Sequence, residues 1–83
     1  MITLDAAKMT ERTQAHCYLK EALSLPDYYG GNLDALYDCL TDLGETEIHF
    51  VNLDAAPSYF SRILPVFREA EEENEKLHLF YDL

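Results

Sequence analysis

The sequence predicts an α/β fold: a three-stranded parallel sheet flanked by helices, in the order strand, helix, helix, strand, helix, strand. Three observations predict it. Short apolar runs rich in strand-forming residues open, divide and close the chain. Apolar residues at spacings of three and four fill the stretches between them. Helices lying between consecutive strands make crossover connections, which in parallel sheets are right-handed. The 83 residues are enough for a single domain, 1–83, and too few for two.

The opening Met1-Ile2-Thr3-Leu4 is the first strand. From about Thr10 the pattern turns helical: Ala15, Tyr18, Leu19, Ala22 and Leu23 share one face, Thr10 is a candidate cap, and Pro26 limits the helix. Ser24 to Gly31, with its proline and paired glycines, is a loop. Asn32 caps a second helix whose stripe is Leu33, Leu36, Tyr37, Leu40 and Leu43, and Gly44 suits a left-handed ending. Glu47 to Leu53 is a strand of near-continuous apolar content, the pattern of a strand buried on both faces. Pro57 can open the third helix, along which Tyr59, Phe60, Ile63, Leu64, Phe67 and Ala70 recur. Pro65 lies inside that run and is expected to kink or split it. The acidic run Glu71 to Glu75 reads as a frayed helix end, and Leu77 to Tyr81 as the last strand.

Composition excludes several functions. The formal charge is −10, from 16 acidic and 6 basic residues, which argues against direct nucleic-acid binding because phosphates need Lys and Arg. Charge alone does not name a basic partner, since it speaks to solubility and association. No apolar stretch approaches the ~20 residues of a membrane span. The first residues lack the basic start, apolar centre and cleavage site of a signal peptide. Cys17 and Cys39 are far apart and suit a reducing compartment as free thiols, so a cytoplasmic location is expected.

The placement of the acids says more. Asp34, Asp38 and Asp42 lie four residues apart on one stripe of the second helix. Like charges at that spacing cost ~0.2–0.5 kcal/mol per pair. Asp34 is compensated by the positive helix N-terminus, Asp38 gains little, and Asp42 faces the negative end. A cation supplied by another molecule would explain the stripe, and a solvated face on an acidic protein would explain it too. Just before this helix, Tyr28 and Tyr29 are of the type favoured at interfaces, unless they pack on the chain's own core, as one of them is expected to do. Gly30 and Gly31 permit close approach to the backbone. Tyr37 lies between the apolar stripe and the Asp38 side.

The stretch Leu25-Pro26-Asp27-Tyr28-Tyr29-Gly30-Gly31-Asn32-Leu33-Asp34-Ala35-Leu36-Tyr37-Asp38-Cys39-Leu40-Thr41 closely resembles the signature of barstar-family ribonuclease inhibitors. Val66-Phe67-Arg68-Glu69-Ala70 is a second, shorter match, and the element order is similar as well. The resemblance implies a barstar-like fold and a protein that plugs the active site of a basic ribonuclease, protecting the cell that makes it. It implies that Asp38 enters the pocket for the scissile phosphate and meets the catalytic cations there. Asp34 would pair with a neighbouring Arg or Lys, and Tyr28 would stack near the catalytic histidine. Thr41 would contact the rim and Glu69 would add a peripheral charge pair. Gly30, Asn32, Leu33 and Tyr37 would complete the contact surface. A monomer in a one-to-one complex is expected, although an exposed sheet edge could pair. The sequence departs from the pattern at Tyr37, where tryptophan is familiar, at Gly31 for an acid, and at Asp42 for a small residue. The short Leu53–Pro57 connection leaves out one helix of larger members.

Other classes fit poorly. An acyl carrier protein needs a serine opening a helix, and Leu33-Asp34-Ala35-Leu36 has none. An enzyme or metal site is disfavoured because His16, His49 and His78 are scattered, each expected as an ordinary surface or strand residue, and no phosphate or calcium loop is present. Cys39 lies among apolar residues, where cysteine behaves as a small hydrophobe. No cofactor or metal is expected, and no catalysis. The remaining alternative is an interaction module on the same scaffold that binds a different cationic protein and inhibits no ribonuclease.

Overall fold

The computed structural model of the chain describes residues 1–82. Strands β1 (Ile2–Asp5), β2 (Thr46–Val51) and β3 (Leu77–Tyr81) alternate with helices α1 (Arg12–Ala22), α2 (Leu33–Thr41) and α3 (Phe60–Glu73) in the predicted order. Short 3-10 turns at Ala6–Lys8 and Leu53–Ala55 leave the ends of β1 and β2. The sheet order is β1-β2-β3 and both pairings are parallel, with Leu4 beside Phe50 and Ile48 beside Leu79.

That sequential order decides where the helices go. Right-handed crossovers that advance in one direction across a sheet put every connecting helix on the same face. Accordingly Leu4, Ile48, Phe50, Leu77 and Leu79 are buried, while Thr3, Glu47, His49, Val51, His78 and Phe80 between them stay partly or fully exposed. The expectation that β2 is buried on both faces is therefore wrong: its apolar run covers one face only. The core is one cluster joining those strand residues to Ala15 and Leu19 of α1, Leu36 and Leu40 of α2, and Phe60, Ile63, Phe67 and Ala70 of α3. The rings of Phe60 and Phe67 meet Phe50 edge-on at 5.8 and 5.1 Å, a favoured aromatic geometry.

Several helix ends differ from expectation. Glu11, not Thr10, caps α1, its Oε1 accepting from the Gln14 N–H at 2.8 Å. α1 ends at Ala22, short of the limit that Pro26 sets. The Ser24 N–H donates to the Glu21 carbonyl and the Leu25 N–H to that of Lys20, with Ser24 left-handed at φ 53°. This is the Schellman closure, made with serine where glycine is usual. Gly44 does not supply a left-handed ending to α2, which stops at Thr41 with Asp42 as its cap. β2 ends at Val51 because Asn52 is left-handed, at φ 57°. Pro57 precedes α3 by a turn rather than opening it, and the helix runs through Pro65 unbroken. The Glu71–Glu75 run is not frayed: Glu71 Oε2 accepts from the Leu79 N–H at 2.9 Å, and Asn74 is buried.

Candidate functional site

The sequence fixes α2 at its first turn. Asn32 Oδ1 accepts from the Ala35 N–H at 2.8 Å, satisfying one of the unpaired donors of a helix start. Gly31 is left-handed at φ 66°, a conformation that sets the direction in which the loop enters the cap. A Cβ on Gly30 would lie 3.2 Å from Asn32 Nδ2, so a side chain there would crowd the capping residue. Leu36 and Leu40 then turn to the core, which leaves Asp34, Asp38 and Asp42 exposed on the opposite stripe.

A shallow groove of about 300 Å³ between α2 and α3 is lined by Leu33, Asp34, Tyr37, Asp38, Val66 and Glu69. It brings together five of the residues singled out by sequence. Tyr37 is half-buried on the groove and its hydroxyl is held above the ordinary tyrosine pKa, by desolvation first and then by Glu73, Glu69, Asp38 and Glu72. The acidic surface therefore continues from α2 onto the last turns of α3. Among the described residues no lysine or arginine lies within 4 Å of Asp34, Asp38, Asp42 or Glu69; the three ion pairs are elsewhere, at Lys20–Asp27, His49–Glu47 and His78–Glu45.

The two loop tyrosines separate cleanly. Tyr28 is 87% exposed, beside the start of α2. Tyr29 is half-buried against the core and hydrogen-bonded within the chain. Thr41, at the far end of α2, turns its hydroxyl back to donate to the Asp38 carbonyl at 2.9 Å. Cys39 packs against the core, and burial, then Asp38 and Asp42, raise its thiol pKa, as suits an inert side chain. Cys17 is an exposed free thiol.

The family model described as "Barstar (barnase inhibitor)" matches residues 1–82. The chain belongs to the barstar family. It is also 38% identical over 78 residues to a protein of Bacillus subtilis (strain 168) named "Putative ribonuclease inhibitor YrdF", covering 87% of this chain and 86% of that one. The acidic groove and the Tyr28 loop of this barstar-family chain are the segment on which the sequence resemblance rested.

Two residues that hold this surface in place were missed. His16, expected as an ordinary surface or strand residue, is buried in α1, at 3% exposure, with both ring nitrogens hydrogen-bonded. Nδ1 bonds the hydroxyl of Tyr29 in the loop, and Nε2 bonds that of Tyr59 before α3, at 2.9 Å. A neutral imidazole donates at one nitrogen and accepts at the other, so it serves both hydroxyls at once. Burial and then Arg12 lower its pKa, which keeps it neutral. The second is Asn74, whose Nδ2 donates to the Leu40 and Leu43 carbonyls at 3.0 and 2.9 Å. The Leu40 carbonyl lies in the last turn of α2 and that of Leu43 just beyond its cap, where a cation would be the usual partner. Asn74 closes the helix without adding positive charge to the acidic face. The only signal for it was an amide inside an otherwise charged run, and for His16 its place next to Ala15 on the apolar side of α1.

Proposed function

We propose that the chain is an intracellular protein inhibitor of a basic, barnase-type ribonuclease, and that α2 and the loop before it plug the enzyme's active site. The observation that carries this reading is the set of carboxylates Asp34, Asp38 and Glu69 around one groove, with no Lys or Arg partner among the described residues. Family membership and the name of the Bacillus subtilis relative support an inhibitor rather than an enzyme. Carboxylates one helical turn apart present anions at about 5–6 Å, a spacing suited to cations that otherwise bind RNA phosphates. Arginine in such a site binds a carboxylate through paired, charge-assisted hydrogen bonds.

In this reading Asp38, mid-helix and flanked by Asp34 and Asp42, enters the phosphate pocket. Asp34 pairs with a cation beside it. Tyr28, held outside the chain's own core, stacks on the enzyme near its catalytic histidine. Leu33 and Tyr37 form the apolar floor of the groove, while Thr41 and Glu69 meet the rim. Gly30 and Asn32 shape the backbone that approaches the enzyme. The chain supplies no chemistry: it excludes RNA by occupying the site, one chain domain per enzyme. Two free thiols fit a cytoplasmic setting, and no helix among the described residues is long and apolar enough to cross a membrane.

The test is a titration of a basic, guanyl-specific microbial ribonuclease with the chain, following RNA cleavage at low and moderate salt. Stoichiometric inhibition whose association slows as salt rises is expected, because exposed charges are screened beyond about 10 Å at 0.1 M. Absence of inhibition across a panel of such ribonucleases would favour the other reading, a barstar-fold module for a different cationic protein.

A further inference from the structure

The cations of this chain are placed as unevenly as its acids. Of the 6 basic residues, Arg12 and Arg62 line one groove of about 420 Å³ with Asn32, Leu33, Asp34 and Tyr59. Both arginines are exposed, and among the described residues neither has a carboxylate within 4 Å, although Asp34 shares the groove. The Glu11 carboxylate next to Arg12 is taken up by the Gln14 N–H. Helix stability does not account for these arginines. Arg12 is the first residue of α1 and Arg62 the third of α3. Those are the positive ends of the helices, where an acid is favoured and a cation is not. Neither first turn holds an acid to offset them. Two exposed arginines, kept where local physics disfavours them and facing one groove, call for an anion that the chain does not supply.

This groove is continuous with the acidic one, because Leu33 and Asp34 line both. Along α3, Arg62, Val66 and Glu69 are spaced by four and three residues and so share one stripe. Arg62 lies about 10 Å along the helix axis from Glu69. The face assigned to the ribonuclease therefore changes sign along its length, from negative at Asp38 and Glu69 to positive at Arg12 and Arg62. The partner cannot avoid the positive end. α2 has 9 residues and is only about 14 Å long, whereas a standard interface of about 800 Å² per partner is roughly 25–30 Å across. A ribonuclease seated on α2 covers the arginines as well. If its surface there were cationic throughout, like charges would meet across the interface and oppose binding.

We propose that Arg12 and Arg62 are specificity-determining residues that hold an aspartate or glutamate carboxylate of the partner ribonuclease, beside its cationic active site. This extends the inhibitor reading and rests on it. Guanidinium groups bind a carboxylate through paired, charge-assisted hydrogen bonds. Basic ribonucleases without that carboxylate are rejected, since discrimination is built from repulsion as well as attraction. A free RNA phosphate is the weaker occupant: Asp34 stands inside the groove, and a chain of charge −10 repels a polyanion.

The test turns on the sign of an effect. Removing a cation from an acidic inhibitor raises its overall attraction to a basic enzyme, so arginines that merely face solvent predict tighter or unchanged binding in Arg12→Ala and Arg62→Ala. The proposal predicts the opposite. Against the basic, guanyl-specific microbial ribonuclease of a panel that the wild type inhibits best, each variant should bind about 10-fold more weakly, with an unchanged circular dichroism spectrum. Lys76→Ala removes an exposed cation just before β3, outside the groove, and should not weaken inhibition. In the ribonuclease, replacing each Asp or Glu on the active-site rim by its amide should reveal one position that weakens the wild type by a similar factor. The same replacement should weaken Arg62→Ala little further, the non-additivity of a direct pair. Inhibition by the wild type that the arginine variants match or exceed overturns the proposal and leaves the inhibitor reading standing. Binding of RNA by the free chain that Arg62→Ala abolishes overturns it too, and assigns the groove to phosphate. A wild type that inhibits no member of the panel overturns the inhibitor reading and this proposal together.

Discussion

Replacing Asn74 with alanine removes the device that ends α2 without a cation. The side chain is 8% exposed and makes three hydrogen bonds: Nδ2 to the Leu40 and Leu43 carbonyls at 3.0 and 2.9 Å, and Oδ1 from the Lys76 N–H at 3.0 Å. The bond to Leu40 is fully buried and the other two partly so. The Leu40 carbonyl keeps a backbone bond from the Leu43 N–H at 3.3 Å, so each of the three lost bonds costs ~0.5–1.5 kcal/mol. The sum is a loss of about 1.5–4.5 kcal/mol, or a Tm drop of roughly 6–36 °C for a chain of this size. Equilibrium urea unfolding followed by circular dichroism would show it as a lower midpoint at unchanged slope. Asn74→Asp sharpens the test. It keeps the acceptor for Lys76 but loses both donors, and it sets a negative charge at the negative end of a helix whose last turn has no basic residue. It should destabilise at least as much as Asn74→Ala. A loss below ~0.5 kcal/mol in Asn74→Ala, or wild-type stability in Asn74→Asp, would refute the reasoning.

Other consequences can be measured on the same footing. His16 has a folded-state pKa lowered below its ordinary 6.5 by burial and then by Arg12, so its contribution is complete above that value and is lost as pH falls through the lower one. Urea midpoints should be flat between pH 7 and 8 and fall below about pH 6.5, and His16→Gln should lose this slope; a midpoint that rises on acidification would contradict the sign. Ser24→Gly relieves a left-handed serine at the α1 closure and should add about 1 kcal/mol to unfolding free energy. Asp38→Ala removes repulsion from Asp34 and Asp42 and raises helix propensity, so the free protein should gain roughly 0.5–1 kcal/mol, read from the same urea curves.

Much of the architecture was legible because each element carries its own periodicity. The α2 stripe of Leu33, Leu36, Tyr37, Leu40 and Leu43 shows in the structure as two buried and three partly buried residues. The Asn32 cap was legible too, because capping is a local contact three residues long. Elements closed by distant partners were not. Gly44 looked like the end of α2, but Asn74, over thirty residues on, supplies the donors. His16 gave no sign of its partners, since Tyr29 and Tyr59 reach it from two other parts of the chain. The one-sided sheet was hidden for a different reason: a short apolar run does not say how many of its faces are covered, and crossover direction decides that. For the site, the motif held Leu33, Asp34, Tyr37 and Asp38 in one helix, whereas the closeness of Glu69 is a matter of α2–α3 packing.

Inhibition of a basic, guanyl-specific microbial ribonuclease by the wild-type chain, compared with Asp38→Ala and with Asp54→Ala, an exposed acid far along the chain in the turn after β2, tests the central claim most directly. The account predicts that Asp54→Ala inhibits as the wild type does. Asp38→Ala should weaken inhibition by about 100-fold or more, the scale of leaving a buried charge without its partner, while remaining folded. Equal inhibition by Asp38→Ala and the wild type would contradict it, and would place the binding surface elsewhere on the molecule.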